Sequence, residues 1–129
     1  MIAGIGTDFV AIARIRRLYD RSGERFLQRC FTPDEASYCQ SRSDPATSLA
    51  GRFAAKEAIM KCLGTGWARG VGFRSIEVLR ADSGAISVRL HGVALAVATQ
   101  LGITTVHLSM SHDDGQALAF AVAERSPAG

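Results

Sequence analysis

The order of periodic segments predicts an α+β fold, a small antiparallel-rich sheet packed with helices. Three observations carry this. A glycine-containing apolar stretch at the start passes directly into helical periodicity. Two strand-like runs, 75–80 and 85–90, flank Asp82-Ser83-Gly84, a hairpin signal. The last third alternates apolar and polar residues with period two, turns, and ends on a second apolar run. No repeat, low-complexity tract or linker interrupts the 129 residues, so one domain over 1–129 is expected.

Residues 2–8 read as a short strand whose two glycines, Gly4 and Gly6, suit a backbone packed closely on a neighbour. A helix begins near Val10, with Ile12, Ile15 and Leu18 on one face; Ser22-Gly23 breaks or kinks it before helical pattern resumes through Cys30. Thr32, Pro33 and Glu35 form a capping box for a second helix. Residues 41–48 are a loop by composition. A long helix then runs from Leu49 to Leu63 with Gly64 as its C-terminal stop. Its alanines and large apolar residues recur around several faces, so it is packed on more than one side. After the two hairpin strands, 92–102 is a helix closing on Gly102. "TVHLSMS" is a half-buried strand, "HDDGQ" a turn and "ALAFAVAE" the final strand.

Composition narrows the classes. A hydrophobic content of 47% supports a core, and 15 Lys plus Arg against 12 Asp plus Glu leave a mild charge of +3, favouring anionic partners without demanding nucleic acid. Cys30, Cys39 and Cys62 fit no metal spacing and read as reduced thiols. No secretory leader and no membrane-length apolar run is present, so a cytoplasmic location is expected.

Several positions suggest chemistry. Asp8, where strand meets helix, is either an N-cap or a ligand. Glu57 and Lys61, four apart on the long helix, are either an exposed pair or a carboxylate and an ammonium serving a metal and phosphates. Gly64-Thr65-Gly66 offers close backbone donors beside them. His112, at a turn after the polar Ser109 and Ser111, is either solvated or a phosphate contact. Arg14, Arg17, Arg21 and Arg25 would share one face of the first helix if it continued past Gly23, a surface for an acidic partner. Nucleic acid is the weaker alternative, because no aromatic residues interleave with this stripe.

"GIGTDFVAIARI", "RFAAKEAIMKCLGTG" and "LSMSHDDGQALAFAVAE" together resemble, in order and spacing, the three signatures of bacterial holo-acyl-carrier-protein synthases. The resemblance implies the 4′-phosphopantetheinyl transferase fold, and transfer of 4′-phosphopantetheine from coenzyme A to a serine of an acyl carrier protein in fatty acid biosynthesis. It implies Mg²⁺ on Asp8 and Glu57, with Lys61 near the phosphates. Arg52, Gly64, Thr65, Gly66, Ser111 and His112 would contact coenzyme A, and the first-helix arginines would dock the carrier protein. A homotrimer is implied, with Asp8, Glu57 and Lys61 from one chain and His112 from its neighbour. Larger two-lobed relatives carry a second acid where this chain has Val10, so a third protein ligand is not expected. The rival readings are a non-catalytic binding module for coenzyme A or the carrier protein, and a basic nucleic-acid-binding domain.

Overall fold

The computed structural model describes residues 1–64 and 71–127. The elements are β1 (Ile2–Ala11), α1 (Ile12–Cys30), α2 (Pro33–Gln40), α3 (Pro45–Leu63), β2 (Ile76–Arg80), β3 (Ile86–Leu90), α4 (Gly92–Gln100), β4 (Ile103–Asp113) and β5 (Gln116–Arg125). Strands β1, β5 and β4 form an antiparallel sheet in that order, while β2 and β3 form a separate hairpin.

Three of the boundaries that depart from expectation bear on the site, each for a local reason. β1 extends to Ala11 because Asp8 through Ala11 continue the ladder with β5, Asp8 opposite Ala119 and Ala11 opposite Gln116. Asp8 is therefore inside a strand and caps nothing; the residue before α1 is Ala11, with no side-chain cap. α3 begins at Pro45 rather than Leu49, since a proline's fixed φ suits a first helical turn. His112 lies within β4, paired with Ala117, and the turn falls at Asp114-Gly115, both at positive φ.

The remaining signals behave as read. Ser22 takes non-helical angles, φ −133° and ψ 32°, and kinks α1. Thr32 and Glu35 close the capping box reciprocally. Gly64 ends α3 in the left-handed region at φ 72°.

α3 organises the interior. The inward residues of β5, Ala117, Ala119, Ala121 and Ala123, are all fully buried, small enough for the helix to lie directly on the sheet. The opposite side of α3 carries Lys56, also fully buried. Its Nζ donates to Glu35 Oε1 at 2.6 Å, Cys30 O at 2.8 Å and Phe73 O at 2.9 Å. Glu35 Oε2 accepts the Val78 amide at 2.8 Å, so one buried ion pair joins α1, α2, α3, β2 and the 3₁₀ turn at Phe73–Ser75. Every donor of the ammonium is used, which is what keeps a buried charge tolerable.

Among the described residues, no element covers the other face of the three-stranded sheet. Phe9 is 68% exposed and Ile5 58%; Leu118 and Phe120 are 45% and 46% exposed.

Candidate functional site

α3 lies on β1 so closely that Gly4 and Gly6 face its carbonyl oxygens with no Cβ between. The next inward residue of β1 is Asp8, and the structure brings it to Glu57 and Lys61. Lys61 Nζ donates to Thr7 O at 2.9 Å and to Asp8 Oδ1 at 3.3 Å. The lysine thus bridges helix to strand, and its recorded ion pair is with Asp8 rather than with Glu57 one turn away.

Glu57 is half-buried, and its carboxyl is pushed up to about 7. Burial is the largest cause, followed by hydrogen bonding to and repulsion by Asp8; Arg14 and Lys61 act in the opposite direction. Two carboxylates forced together at a half-buried surface favour either a shared proton or a cation. Among the described residues no group of three or more His, Cys, Asp or Glu side chains gathers. The chain's contribution is two hard oxygen donors, a number that suits a divalent ion completing its shell with water and phosphate.

Arg52 and His112 are brought together elsewhere. At 3.6 residues per turn, Arg52 and Glu57 are about 140° apart around α3. Arg52 faces the β4 flank, where it lines a cavity of about 230 Å³ with Arg42, Arg80, Ser48, Ser111 and His112. Its guanidinium stacks 4.6 Å from the Tyr38 ring and donates to Ser48 O at 3.4 Å. Arg52 is only 3% exposed, and its buried Nε has no hydrogen-bond partner among the described residues. A buried guanidinium with an unused donor, ringed by further cationic side chains, is an anion-binding arrangement. Arg42, Arg80 and Tyr38 escape sequence reasoning because they come from a loop, a strand end and a different helix.

The arginine stripe is divided by the kink. Arg14, Arg17 and Arg21 border one shallow groove with Leu18. Arg25 lies beyond Ser22 and lines an adjoining cavity with Arg29, Phe26, Phe53 and Phe73. Arg14 also stacks 5.6 Å from the Phe53 ring, one turn before Glu57. Gly64 is exposed at the end of α3; Thr65 and Gly66 lie outside the described residues.

With this geometry in view, residues 4–122 match the model of the 4′-phosphopantetheinyl transferase superfamily. The chain belongs to this superfamily. A holo-[acyl-carrier-protein] synthase of Halothermothrix orenii is 45% identical over 124 residues, covering 96% of this chain and 98% of that protein. The Neisseria meningitidis holo-[acyl-carrier-protein] synthase is 42% identical with a TM-score of 0.87, covering 97% of this chain and 100% of its own. The Helicobacter pylori holo-[acyl-carrier-protein] synthase in complex with coenzyme A is 32% identical with a TM-score of 0.81, covering 93% of this chain and 99% of its own. The mixed helices and antiparallel strands of this chain superpose on the Neisseria meningitidis and Helicobacter pylori structures over nearly its whole length.

Proposed function

We propose that this chain transfers the 4′-phosphopantetheine group of coenzyme A to a serine hydroxyl of an apo acyl carrier protein, releasing adenosine 3′,5′-bisphosphate. The observation that carries the reading is the meeting of Asp8, Glu57 and Lys61 where β1 runs under α3. Asp8 and Glu57 fit Mg²⁺, which would neutralise the pyrophosphate and stabilise charge on its oxygens when bound.

The chain's own groups account for the rest. The serine oxygen attacks the pantetheine-side phosphorus while the bond to the bridging pyrophosphate oxygen breaks. Glu57 is the chain's carboxylate that would accept the serine proton as the new bond forms. Lys61, held beside Asp8 with its side chain 55% exposed, places an ammonium against the leaving phosphate. Arg52, Ser111 and His112, with Gly64, Thr65 and Gly66, hold the nucleotide end.

The two half-sites occupy opposite flanks of α3 in one chain. A coenzyme A molecule that uses both fits between two copies, its pyrophosphate on one copy's carboxylates and its nucleotide in the neighbour's basic cavity. The uncovered face of the sheet, with Phe9, Leu118 and Phe120, supplies the apolar surface for a homotrimer. Phe120→Glu is expected to leave a monomer in light scattering and to abolish transfer; a fully active trimer would contradict this placement.

Arg14, Arg17 and Arg21, with Arg25 beyond the kink, form the docking surface for the acidic carrier protein. Arg14→Glu is expected to raise KM for the carrier protein about tenfold or more and to change KM for coenzyme A little, measured by steady-state kinetics. Equal effects on both would remove the docking role. The protein acts as a single cytoplasmic domain, without nucleic-acid or membrane partners. Release of adenosine 3′,5′-bisphosphate, followed chromatographically in mixtures of coenzyme A, Mg²⁺ and apo carrier protein, tests the reaction as a whole. Binding of coenzyme A without release would favour the non-catalytic module instead.

A further inference from the structure

Gly4 and Gly6 are not needed for their backbone angles, since neither is among the positive-φ glycines. They are needed for space. A Cβ on Gly6 would overlap the Ala58 carbonyl oxygen and come within 3.1 Å of Lys61 Cβ, and one on Gly4 would overlap the Cys62 carbonyl oxygen. Both obstacles are helix backbone, which no rotamer change can move aside. Nor can the helix easily retreat as a body, because Lys56 pins its far side to Glu35, Cys30 and Phe73.

We propose that Gly4 and Gly6 are positioning residues: their missing side chains set the height of α3 above β1, and that height sets the reach of Asp8 to Glu57 and Lys61. Lys61, long and 55% exposed, can follow a shift of about 1 Å, whereas the short Asp8 side chain, 18% exposed, cannot follow it toward Glu57, so the carboxylate pair is what this height controls. A short carboxylate at position 8 is matched to this close spacing. A glutamate, one methylene longer, overshoots in the unmodified protein and regains the right reach once a Cβ has pushed strand and helix apart. Height and side-chain length are therefore reciprocal, which a purely structural role for the glycines would not produce.

This inference rests on the metal reading of Asp8 and Glu57, and its test separates the two. Mn²⁺, an oxygen-preferring stand-in, is titrated into the full-length protein and the free ion is followed by electron paramagnetic resonance. The unmodified protein is expected to bind. Gly6→Ala and Asp8→Glu are each expected to weaken binding about tenfold or more, and the double variant to recover most of the loss, a positive coupling in the double-mutant cycle. Should Gly6→Ala not fold, the same cycle with Gly4→Ala decides the matter. Binding by a folded glycine variant equal to that of the unmodified protein, or no recovery in the double variant, would overturn the spacer role. No Mn²⁺ binding by the unmodified protein would overturn the metal reading itself, and this inference with it.

Discussion

Glu57→Gln is expected to lower turnover on the order of 10²–10⁴-fold at saturating Mg²⁺ while making the metal-free protein more stable at pH 8. The two effects share a cause. The Glu57 carboxyl is raised to about 7 by burial and by Asp8. Between its ordinary range near 4.5 and about 7, the folded state retains a proton that the unfolded state has lost. Stability of the metal-free protein therefore falls as pH rises through that window and stays reduced above it. Removing the charge by substitution relieves the repulsion, so thermal unfolding in chelator should show the variant ahead at pH 8 and level with the unmodified protein at pH 4. A variant with normal turnover would strip Glu57 of both its ligand and its base duties. A variant that is inactive and also less stable at pH 8 would mean that the carboxylate pair is not strained in the way its geometry implies.

The largest loss of stability is expected from Lys56→Met. The substitution leaves Glu35 as an uncompensated carboxylate among buried atoms and takes the ammonium away from the Cys30 and Phe73 carbonyls. Breaking one partner of a buried pair costs about 3–5 kcal/mol, a large share of the stability of a domain this size. The pair itself need not be worth so much. Lys56→Met combined with Glu35→Gln should therefore recover part of the loss in urea titration, since the second change removes the orphaned charge. If Lys56→Met alone unfolded at the same urea concentration as the unmodified protein, the network would not hold α3 in place.

Much of this was open to reading because it rests on local rules. The capping box at Thr32 and Glu35, the kink at Ser22-Gly23 and the stop at Gly64 are each decided by neighbouring residues. The strand glycines were legible as a sign of close approach, although not which carbonyls they meet. What escaped depends on tertiary partners. Asp8 looks like a cap until the ladder to β5 places it inside a strand. His112 looks like a turn residue because the polar "HDDGQ" run conceals that the ladder continues to Asp113. Lys56 carries no local sign of burial in the sequence, and only the convergence of α1, α2 and the Phe73 carbonyl shows why it is buried. Arg42 and Arg80, separated in the chain by α3 and the β2 strand, join Arg52 only in three dimensions.

The central claim is that a carboxylate pair on β1 and α3 serves phosphopantetheine transfer. The most direct measurement is the intact mass of an apo acyl carrier protein incubated with this protein, coenzyme A and Mg²⁺, beside mixtures containing EDTA or Asp8→Asn. The account predicts a gain of one phosphopantetheine unit that disappears in both controls. No gain, with carrier proteins proven competent as acceptors, would contradict it; so would a gain that survives Asp8→Asn undiminished.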